Sequence, residues 1–274
     1  MNSSRMHHSS NTRIAITIES AEGTDNASLL RQAAELAEKL KLPLVSSGES
    51  SDSTIDLMLV VTAHRLELKD ARHRRVGPVF VDFLQGALGY RRQRGLSLRQ
   101  PIAKAVGAVG LKKESMTILD ATTGLAKDAF ILAALGATVT AVERSTVLGE
   151  LIRDGLDRAA AHPSPIVDVI QRINLVIDDA RTLLTRLETV DQPDVIYLDP
   201  MYPPTGKTAL PKKEMQICRR LVGDDFDAGE LLAVARRTCK RRVVVKRHPH
   251  APPLAPNPAI QYTGKQVRFD IYQP

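Results

Sequence analysis

The sequence predicts an α/β protein with a mostly parallel sheet, preceded by a small α+β domain. From about residue 102 onward, strand-like and helix-like runs alternate. This order implies right-handed crossovers, with helices on both faces of the sheet. Hydrophobic residues make up 43% of the 274 residues, whereas aromatic residues make up 4% and Trp is absent. A sizeable, mainly aliphatic core therefore fits an α/β fold.

The first hundred residues show a different pattern, in which short predicted strands precede and follow one long predicted helix. Residues 13–18 alternate as a strand does, and apolar side chains within 27–42 recur at helical spacing. Residues 53–70 contain one or two further strands, and residues 78–84 another. Glycines and four arginines lie between residues 86 and 100, as in a linker. We therefore expect a small N-terminal domain with a basic linker over residues 1–97 and a second domain over 98–274.

The second domain shows strands and helices in turn. The predicted strands cover residues 116–120, 138–143, 173–178, 195–199 and 241–247, and the predicted helices cover 127–136, 146–160, 180–188 and 231–239. The last two strands, 259–264 and 266–272, follow each other too closely for a crossover helix. We therefore expect them to form an antiparallel hairpin at one edge of the sheet.

The charge and the cysteines limit the class of protein. The formal net charge of +7 favours a polyanionic partner such as nucleic acid. Cys218 and Cys239 form no CxxC motif, and His248 and His250 have no other metal-ligating residues nearby, so no metal is expected. The N-terminus lacks an apolar signal sequence, and no apolar run reaches membrane-spanning length. These features predict a cytoplasmic protein.

The ends of the first two strands of the second domain predict a cofactor site, because ligands of such sheets bind at the carboxyl ends of the strands. Asp120 ends the first strand, Gly124 permits a tight turn, and Asp128 lies in the first turn of the next helix. Glu143 ends the second strand, nineteen residues after Gly124, where an acidic side chain can accept both hydroxyls of a ribose. The turn has one glycine rather than G-x-G-x-x-G, so it suits a ribose and adenine without a pyrophosphate. S-adenosylmethionine (SAM) is such a cofactor.

The motif DPMYPP follows the fourth strand of this domain, VIYL. Asp199 can accept hydrogen bonds from an amino group, and Pro200 offers a carbonyl in a stiff turn. Tyr202 can stack on a flat base. Together they predict a clamp for the exocyclic amine of a nucleobase.

This motif resembles the (D/N)-P-P-(F/Y/W) signature of amino-methyltransferases that act on nucleic-acid bases. The ordered series DATTGLAKDAF, VERS, VIYLDPMYPP, KKEM, RRVVVKR and RFDIY is similar to that of the RsmJ family, the bacterial 16S rRNA guanine-N2 methyltransferases. The resemblance covers roughly Val79 to Tyr272. It implies a Rossmann-like class I SAM-dependent methyltransferase sheet and transfer of a methyl group to a guanine amine.

The resemblance also assigns roles to individual residues. It implies that Lys127 and Asp128 contact the cofactor and that Glu143 and Arg144 hold its ribose region. Asp179 and Ala180 would lie beside the adenine. Asp199 would lie between the cofactor and the target base.

Several basic residues flank the predicted site and are candidates for phosphate contacts. The candidates are Arg91, Arg92, Arg94, Lys207, Lys212, Lys213, Lys246 and Arg247. Two other functions stay open on the sequence. One is an amino-methyltransferase for another target, such as adenine N6, cytosine, tRNA or DNA. The other is a non-catalytic rRNA-binding module, for which the intact DPMYPP motif has no use.

Overall fold

The structure is a computed structural model, and it describes residues 12–20, 23, 25–46, 54–73, 76–85, 100–108, 116–201 and 213–274. The chain forms two compact units. The first lies within Met1–Val81, Ser145–Gly155 and Lys207–Gly223, and the second within Asp82–Arg144, Leu156–Gly206 and Asp224–Pro274. The predicted boundary between residues 97 and 98 lies outside the described residues and stays a prediction. Sequence analysis did not anticipate that two later segments group with the N-terminal part.

The first unit contains a three-stranded sheet in the order β1-β2-β3. Its elements are β1 (Ile14–Glu19), α1 (Asn26–Leu40), β2 (Leu57–Thr62) and β3 (Leu66–Asp70). Strand β2 pairs in parallel with β1 and antiparallel with β3. These elements confirm the predicted first strand, the helix and the two strands within residues 53–70.

Ion pairs join the later segments of the first unit to its N-terminal part. The helices concerned are α4 (Thr146–Ala161), of which the first unit contains residues up to Gly155, and α7 (Lys213–Val222). Lys39 on α1 contacts Glu150 on α4 at 2.8 Å, and Arg220 on α7 pairs with the buried Asp70 at the end of β3. Helix α7 begins at Lys213, one of the predicted candidates for phosphate contacts.

The predicted strand over residues 78–84 is wrong among the described residues. Val79 forms a single bridge to Leu68, with both N–H···O distances at 2.8 Å. Three residues later, the carboxylate of Asp82 accepts the backbone N–H groups of Leu84 and Gln85. This side-chain turn replaces the ladder hydrogen bonds, so the extended run stops.

The second unit contains a seven-stranded sheet in the order β6-β5-β4-β7-β8-β10-β9. The strands are β4 (Thr117–Asp120), β5 (Thr138–Glu143), β6 (Ile173–Ile177), β7 (Val195–Leu198), β8 (Arg242–Arg247), β9 (Ile260–Thr263) and β10 (Arg268–Tyr272). The other helices are α2 (Pro101–Val106), α3 (Lys127–Ala134), α5 (Val167–Ile170), α6 (Ala180–Arg186) and α8 (Ala228–Thr238), with a 3₁₀ turn at Thr189–Asp191. Strands β4 to β8 are parallel, and β10 is antiparallel to both of its neighbours. The predicted fold class and the antiparallel edge hairpin are therefore confirmed.

The order of the strands reverses between β4 and β7. The chain runs outward from β4 through β5 to β6 and then returns to β7 on the other side of β4. Buried side chains of β7 and β8, such as Ile196 and Val243, pack in one cluster with Leu184 of α6 and Leu232 of α8. This packing holds the carboxyl ends of β4 and β7 side by side, where a crevice for a ligand is expected. In the described part of the chain, every helix is too short or too polar to cross a bilayer.

Candidate active site

The loop after β4 is held in a tight turn by hydrogen bonds to β5. Thr123 donates its backbone N–H to the carbonyl of Val142 at 3.1 Å, and Gly124 donates its N–H to Glu143 Oε2 at 2.8 Å. Gly124 has φ +57°, a left-handed conformation that favours glycine. The buried Glu143 therefore supports the loop directly, a role that the sequence analysis did not foresee.

The space beside this loop fits a nucleoside-like cofactor. A Cβ atom added to Gly124 would meet no heavy atom within 4 Å, so the loop faces open space. Asp120 and Glu143 end the two adjacent strands at the same edge of the sheet. Carboxylates accept hydrogen bonds, and SAM offers donors in its ribose hydroxyls and amino groups. The residues present thus fit SAM.

A partly buried ion cluster lies at the carboxyl ends of β7 and β8. The ammonium of Lys246 donates to Asp128 Oδ2 at 2.7 Å and to Asp199 Oδ2 at 2.8 Å. The hydroxyl of Tyr197, whose side chain is fully buried, also donates to Asp128 Oδ2 at 2.7 Å. The predicted cofactor residue Asp128 and the predicted catalytic residue Asp199 are thereby joined through one lysine.

The protein environment shifts the pKa values within this cluster. Burial raises the pKa of Asp120 well above its ordinary range, and the nearby charge of Asp128 raises it further. Burial also raises the pKa of Asp199, although the positive charge of Lys246 opposes this shift. Burial alone would lower the pKa of Lys246, but Asp199 and Asp128 outweigh it and raise that pKa above its ordinary value. Lys246 is therefore charged at neutral pH.

The turn after β7 is fixed at both ends of its described part. Asp199 donates its backbone N–H to Thr122 Oγ1 at 2.6 Å. Met201 donates its N–H to Asp225 Oδ2 at 2.6 Å and accepts the N–H of Asp225 at 2.9 Å. The guanidinium of Arg144 in turn pairs with Asp225. The turn is thus tied to the β4 loop and, through Asp225, to the end of β5.

Two predicted cofactor residues have charged protein partners. Arg144 pairs with Asp225 and also contacts Asp227 at 3.2 Å. Asp179 caps α6 by accepting the N–H of Arg181 at 2.8 Å, and its carboxylate also pairs with the Arg181 guanidinium at 2.7 Å. The hydrogen bonds from Arg181 lower the pKa of Asp179. Both residues lie at the expected edge of the sheet, but their charges are already compensated.

The remaining predicted residues fall into three groups. Lys127 is exposed at the start of α3, whereas Pro200 and Ala180 are buried. Arg247 is 7% exposed and donates from Nε and an Nη atom to the carbonyl of Pro252, which does not favour a phosphate contact. Outside the described residues lie Tyr202, Arg91, Arg92, Arg94, Lys207 and Lys212, and the side chain of Lys213 lies outside them too.

Several residues that support the site were not predicted from the sequence. Thr122, Tyr197 and Asp225 hold predicted site residues, and Lys246 has an inward environment rather than that of a surface lysine. One signal was available for Lys246. It directly follows the apolar run VVV and therefore lies at the carboxyl end of a predicted strand. In the structure Leu198 pairs with Val245, and the next pair in this register brings Lys246 beside Asp199.

The fold and the site define a class of protein. The strand order, the acidic residues at the carboxyl edge and the D-P turn at the switch point are those of a Rossmann-like class I methyltransferase. The family model of SAM-dependent methyltransferases matches residues 24–274. A solved SAM-dependent methyltransferase from Neisseria gonorrhoeae is 36% identical with a TM-score of 0.68, covering 95% of this chain and 96% of that chain.

Curated relatives identify a particular family within this class. A protein from Thioalkalivibrio sulfidiphilus named ribosomal RNA small subunit methyltransferase J is 47% identical over 266 residues, which is 96% of this chain and 98% of that protein. A protein of the same name from Coxiella burnetii is 46% identical over 89% of this chain and 92% of that protein. The chain belongs to the ribosomal RNA small subunit methyltransferase J (RsmJ) family of SAM-dependent methyltransferases. The predicted family, the methyltransferase activity and the cofactor SAM are therefore confirmed.

Proposed function

We propose that the protein transfers a methyl group from SAM to the exocyclic N2 amine of a specific guanosine in 16S rRNA. The observation that carries this proposal is the carboxylate of Asp199 at the end of β7, beside the switch point of the sheet. Lys246 holds its Oδ2 atom at 2.8 Å, and its side chain stays 41% exposed. A carboxylate at this place can accept an N–H of an amino group, a donor that a carbon nucleophile does not offer.

The RNA substrate and the choice of guanine have different support. The printed names of the relatives refer to the RNA of the small ribosomal subunit. The choice of guanine N2 rests on the RsmJ-like series, above all on Met201 in DPMYPP with KKEM and RRVVVKR following in order. An rRNA substrate also implies that the protein works in the cytoplasm.

The cofactor would lie along the carboxyl ends of β4, β5 and β6. The residues proposed to hold it are Asp120, Gly124, Lys127, Asp128, Glu143, Arg144, Asp179, Ala180 and Asp199. When bound, SAM supplies a methyl group that is already activated by its attachment to a positively charged sulfur. The remaining task of the chain is to position the accepting nitrogen and to shape the charge around it.

Positioning of the amine requires acceptors, because a guanine amine is a poor nucleophile whose lone pair is conjugated with the ring. Hydrogen bonds from the amine to Asp199 and to the carbonyl of Pro200 would favour an orientation that exposes this lone pair. Asp199 either only orients the amine or also takes its proton. Stacking on Tyr202 would offset part of the cost of extruding a base from a helix.

The RNA path is proposed to follow basic segments that flank the site. In the sequence, Arg91, Arg92 and Arg94 precede α2, and Lys207, Lys212 and Lys213 follow the DPMYPP motif. Contacts to phosphate would set the position of the RNA without reading its sequence.

The test is to map the methylated base. The purified protein is incubated with labelled SAM and either small ribosomal subunits or free 16S rRNA, and the RNA is then digested to nucleosides for mass spectrometry against standards. We expect N2-methylguanosine. A label found only in N6-methyladenosine or in a methylated cytidine would overturn the choice of guanine, and an unlabelled RNA with both substrates would overturn the rRNA assignment.

A further inference from the structure

We propose that Lys246 is a positioning residue for the methyl transfer: it holds one carboxylate oxygen of Asp199 and thereby turns the other toward the amine of the target base. This inference rests on the role proposed for Asp199. It replaces the phosphate contact that the sequence suggested for Lys246.

The geometry around Lys246 leaves its ammonium little freedom. It donates to Asp199 Oδ2 at 2.8 Å and to Asp128 Oδ2 at 2.7 Å, and these are the distances of charge-assisted hydrogen bonds. The Lys246 side chain is 29% exposed. Two of its three N–H donors therefore point at carboxylates within the site. Lys246 itself lies on the mostly buried strand β8.

Asp128 is in turn fixed on a third element. It lies in the first turn of α3, and its Oδ2 atom accepts the hydroxyl of Tyr197 from β7 at 2.7 Å. Tyr197 is fully buried, so packing around its ring fixes the position of its hydroxyl oxygen. A rigid chain of contacts thus runs from Tyr197 through Asp128 and Lys246 to Asp199.

This chain leaves one oxygen of Asp199 available. Among the described residues, Lys246 contacts Oδ2, and no side chain or backbone group donates to Oδ1. A carboxylate held on one side by an ammonium keeps an acceptor oxygen with a defined direction on the other side. Such an oxygen can receive an N–H of an exocyclic amine, which a freely rotating carboxylate would do less often.

The charges that face Asp199 come from several elements. Lys246 on β8 favours its ionised form, whereas Asp128 on α3 and Asp225 before α8 disfavour it. Burial and the charge of Asp128 raise the pKa values of Asp120 on β4 and Tyr197 on β7, and the charge of Asp199 adds to both shifts. Among the described residues, Lys246 is the cation that contacts Asp199, so we expect removal of its charge to raise the pKa of Asp199.

The main test compares Lys246→Met with Lys246→Arg. A matched control is Lys265→Met, which removes an exposed lysine from the turn between β9 and β10. Calorimetry measures SAM affinity, and steady-state kinetics measures kcat and KM for RNA over a range of pH. We expect Lys246→Met to lower kcat by about 10²-fold, while KM for RNA changes by less than about threefold. The acid limb of its pH profile should move up by about one to three units.

A second measurement does not depend on turnover. Carboxyl-detected NMR of the protein without SAM follows the titration of Asp199, which is assigned by comparison with Asp199→Asn. Lys246→Met should raise the pKa of Asp199 by the same one to three units, roughly the effect of an opposite charge at this distance. Lys246→Arg keeps the charge and should leave that pKa within about half a unit, although its planar group cannot reproduce both contacts and kcat falls.

Loss of the lysine alone leaves Asp128 as a partly buried carboxylate without its cation, which can destabilise the protein. The double variant Asp128→Asn/Lys246→Met removes one charge of each sign and should fold if the single variant does not. The proposal predicts that its kcat stays at least about tenfold below that of the parent.

The outcomes separate this proposal from the one on which it rests. If Asp199→Ala keeps normal turnover, the proposed role of Asp199 is wrong. If Asp199→Ala is inactive but Lys246→Met folds, keeps kcat and shows an unshifted acid limb, Lys246 does not position Asp199. If instead Lys246→Met raises KM and lowers the salt dependence of RNA binding without changing kcat, Lys246 is a phosphate contact.

Discussion

Acidic residues at the carboxyl edge of the sheet differ in function because their neighbours differ. Glu143 accepts the N–H of Gly124 and so shapes the loop after β4. Asp128 is shared between Tyr197 and Lys246. Asp199 contacts the same lysine but keeps a partly exposed carboxylate. Carboxylates thus serve as a loop support, as a link and as an acceptor, according to the residues around them.

Substitutions of Glu143 separate its role in supporting the loop after β4 from its proposed role in SAM binding. Glu143→Gln keeps an oxygen that can accept the Gly124 N–H, whereas Glu143→Ala removes it. We expect both variants to weaken SAM binding in calorimetry, by about 1–3 kcal/mol for unpaired ribose hydroxyls. The Ala variant should also unfold at a lower temperature. Unchanged SAM affinity in Glu143→Gln would limit Glu143 to a structural role.

Substitution of Asp199 tests the acceptor itself. Asp199→Ala removes a partly exposed carboxylate at the end of a strand, so it opens no core cavity. We expect kcat to fall by on the order of 10²–10³-fold, with the thermal unfolding midpoint close to that of the parent. The control is Asp191→Ala, which changes an exposed acidic residue before the amino end of β7. Near-normal turnover of Asp199→Ala would refute the amine clamp.

At the scale of elements, the turn after β7 depends on partners from other segments. Thr122 from the β4 loop accepts the N–H of Asp199, and Asp225 accepts that of Met201. Arg144, which follows β5 directly, pairs with Asp225. The turn is therefore held by residues that follow β4 and β5, the strands that the cofactor is proposed to contact. The proposed cofactor site and the proposed base clamp thus depend on the same loop residues.

Helix α4 packs so closely against Val81 that only glycine fits at position 155. A Cβ atom on Gly155 would lie 2.6 Å from Val81 Cγ1 and 3.0 Å from the Val81 carbonyl oxygen. We expect Gly155→Ala to destabilise the protein by about 1–3 kcal/mol in denaturant unfolding, because the backbone must shift.

The control for this prediction lies in the first turn of α8. A Cβ atom on Gly229 would meet nothing within 4 Å. Gly229→Ala should therefore stabilise the protein by about 0.4–1 kcal/mol, since alanine lowers the entropy of the unfolded chain. Equal effects of the two substitutions would contradict the close approach at Gly155.

At the scale of the whole molecule, the net charge of +7 sets the expected response to salt. RNA binding releases counterions from each neutralised phosphate, so the logarithm of the binding constant should fall steeply with the logarithm of salt concentration. Single neutralising substitutions of Arg91, Arg92, Arg94, Lys212 or Lys213 should each reduce that slope by roughly 0.7–0.9 where the residue meets a phosphate. The control is Lys104→Gln at an exposed position of α2. A slope that none of the five changes would place the RNA elsewhere.

The sequence by itself determined what depends on near neighbours in the chain. Period-2 and helical patterns located the parallel strands, the long helices and the edge hairpin, because burial of one face imposes those periods. It also indicated which residues end strands, so Asp120, Glu143 and Asp199 could be placed at one edge of the sheet. The motif DPMYPP and the residues around it indicated the family.

Only the tertiary structure decided which distant groups meet. The contact of Lys246 with Asp199 depends on the pairing of β7 with β8, and the contact of Arg144 with Asp225 spans 81 positions in sequence. Likewise, Arg220 joins α7 to Asp70, 150 positions away, and so brings a later segment into the first unit. The spacing of charged residues in the sequence does not reveal which residue each of them contacts. The register of the strands and the packing of the helices select that partner, and thereby whether a lysine meets RNA or holds a carboxylate.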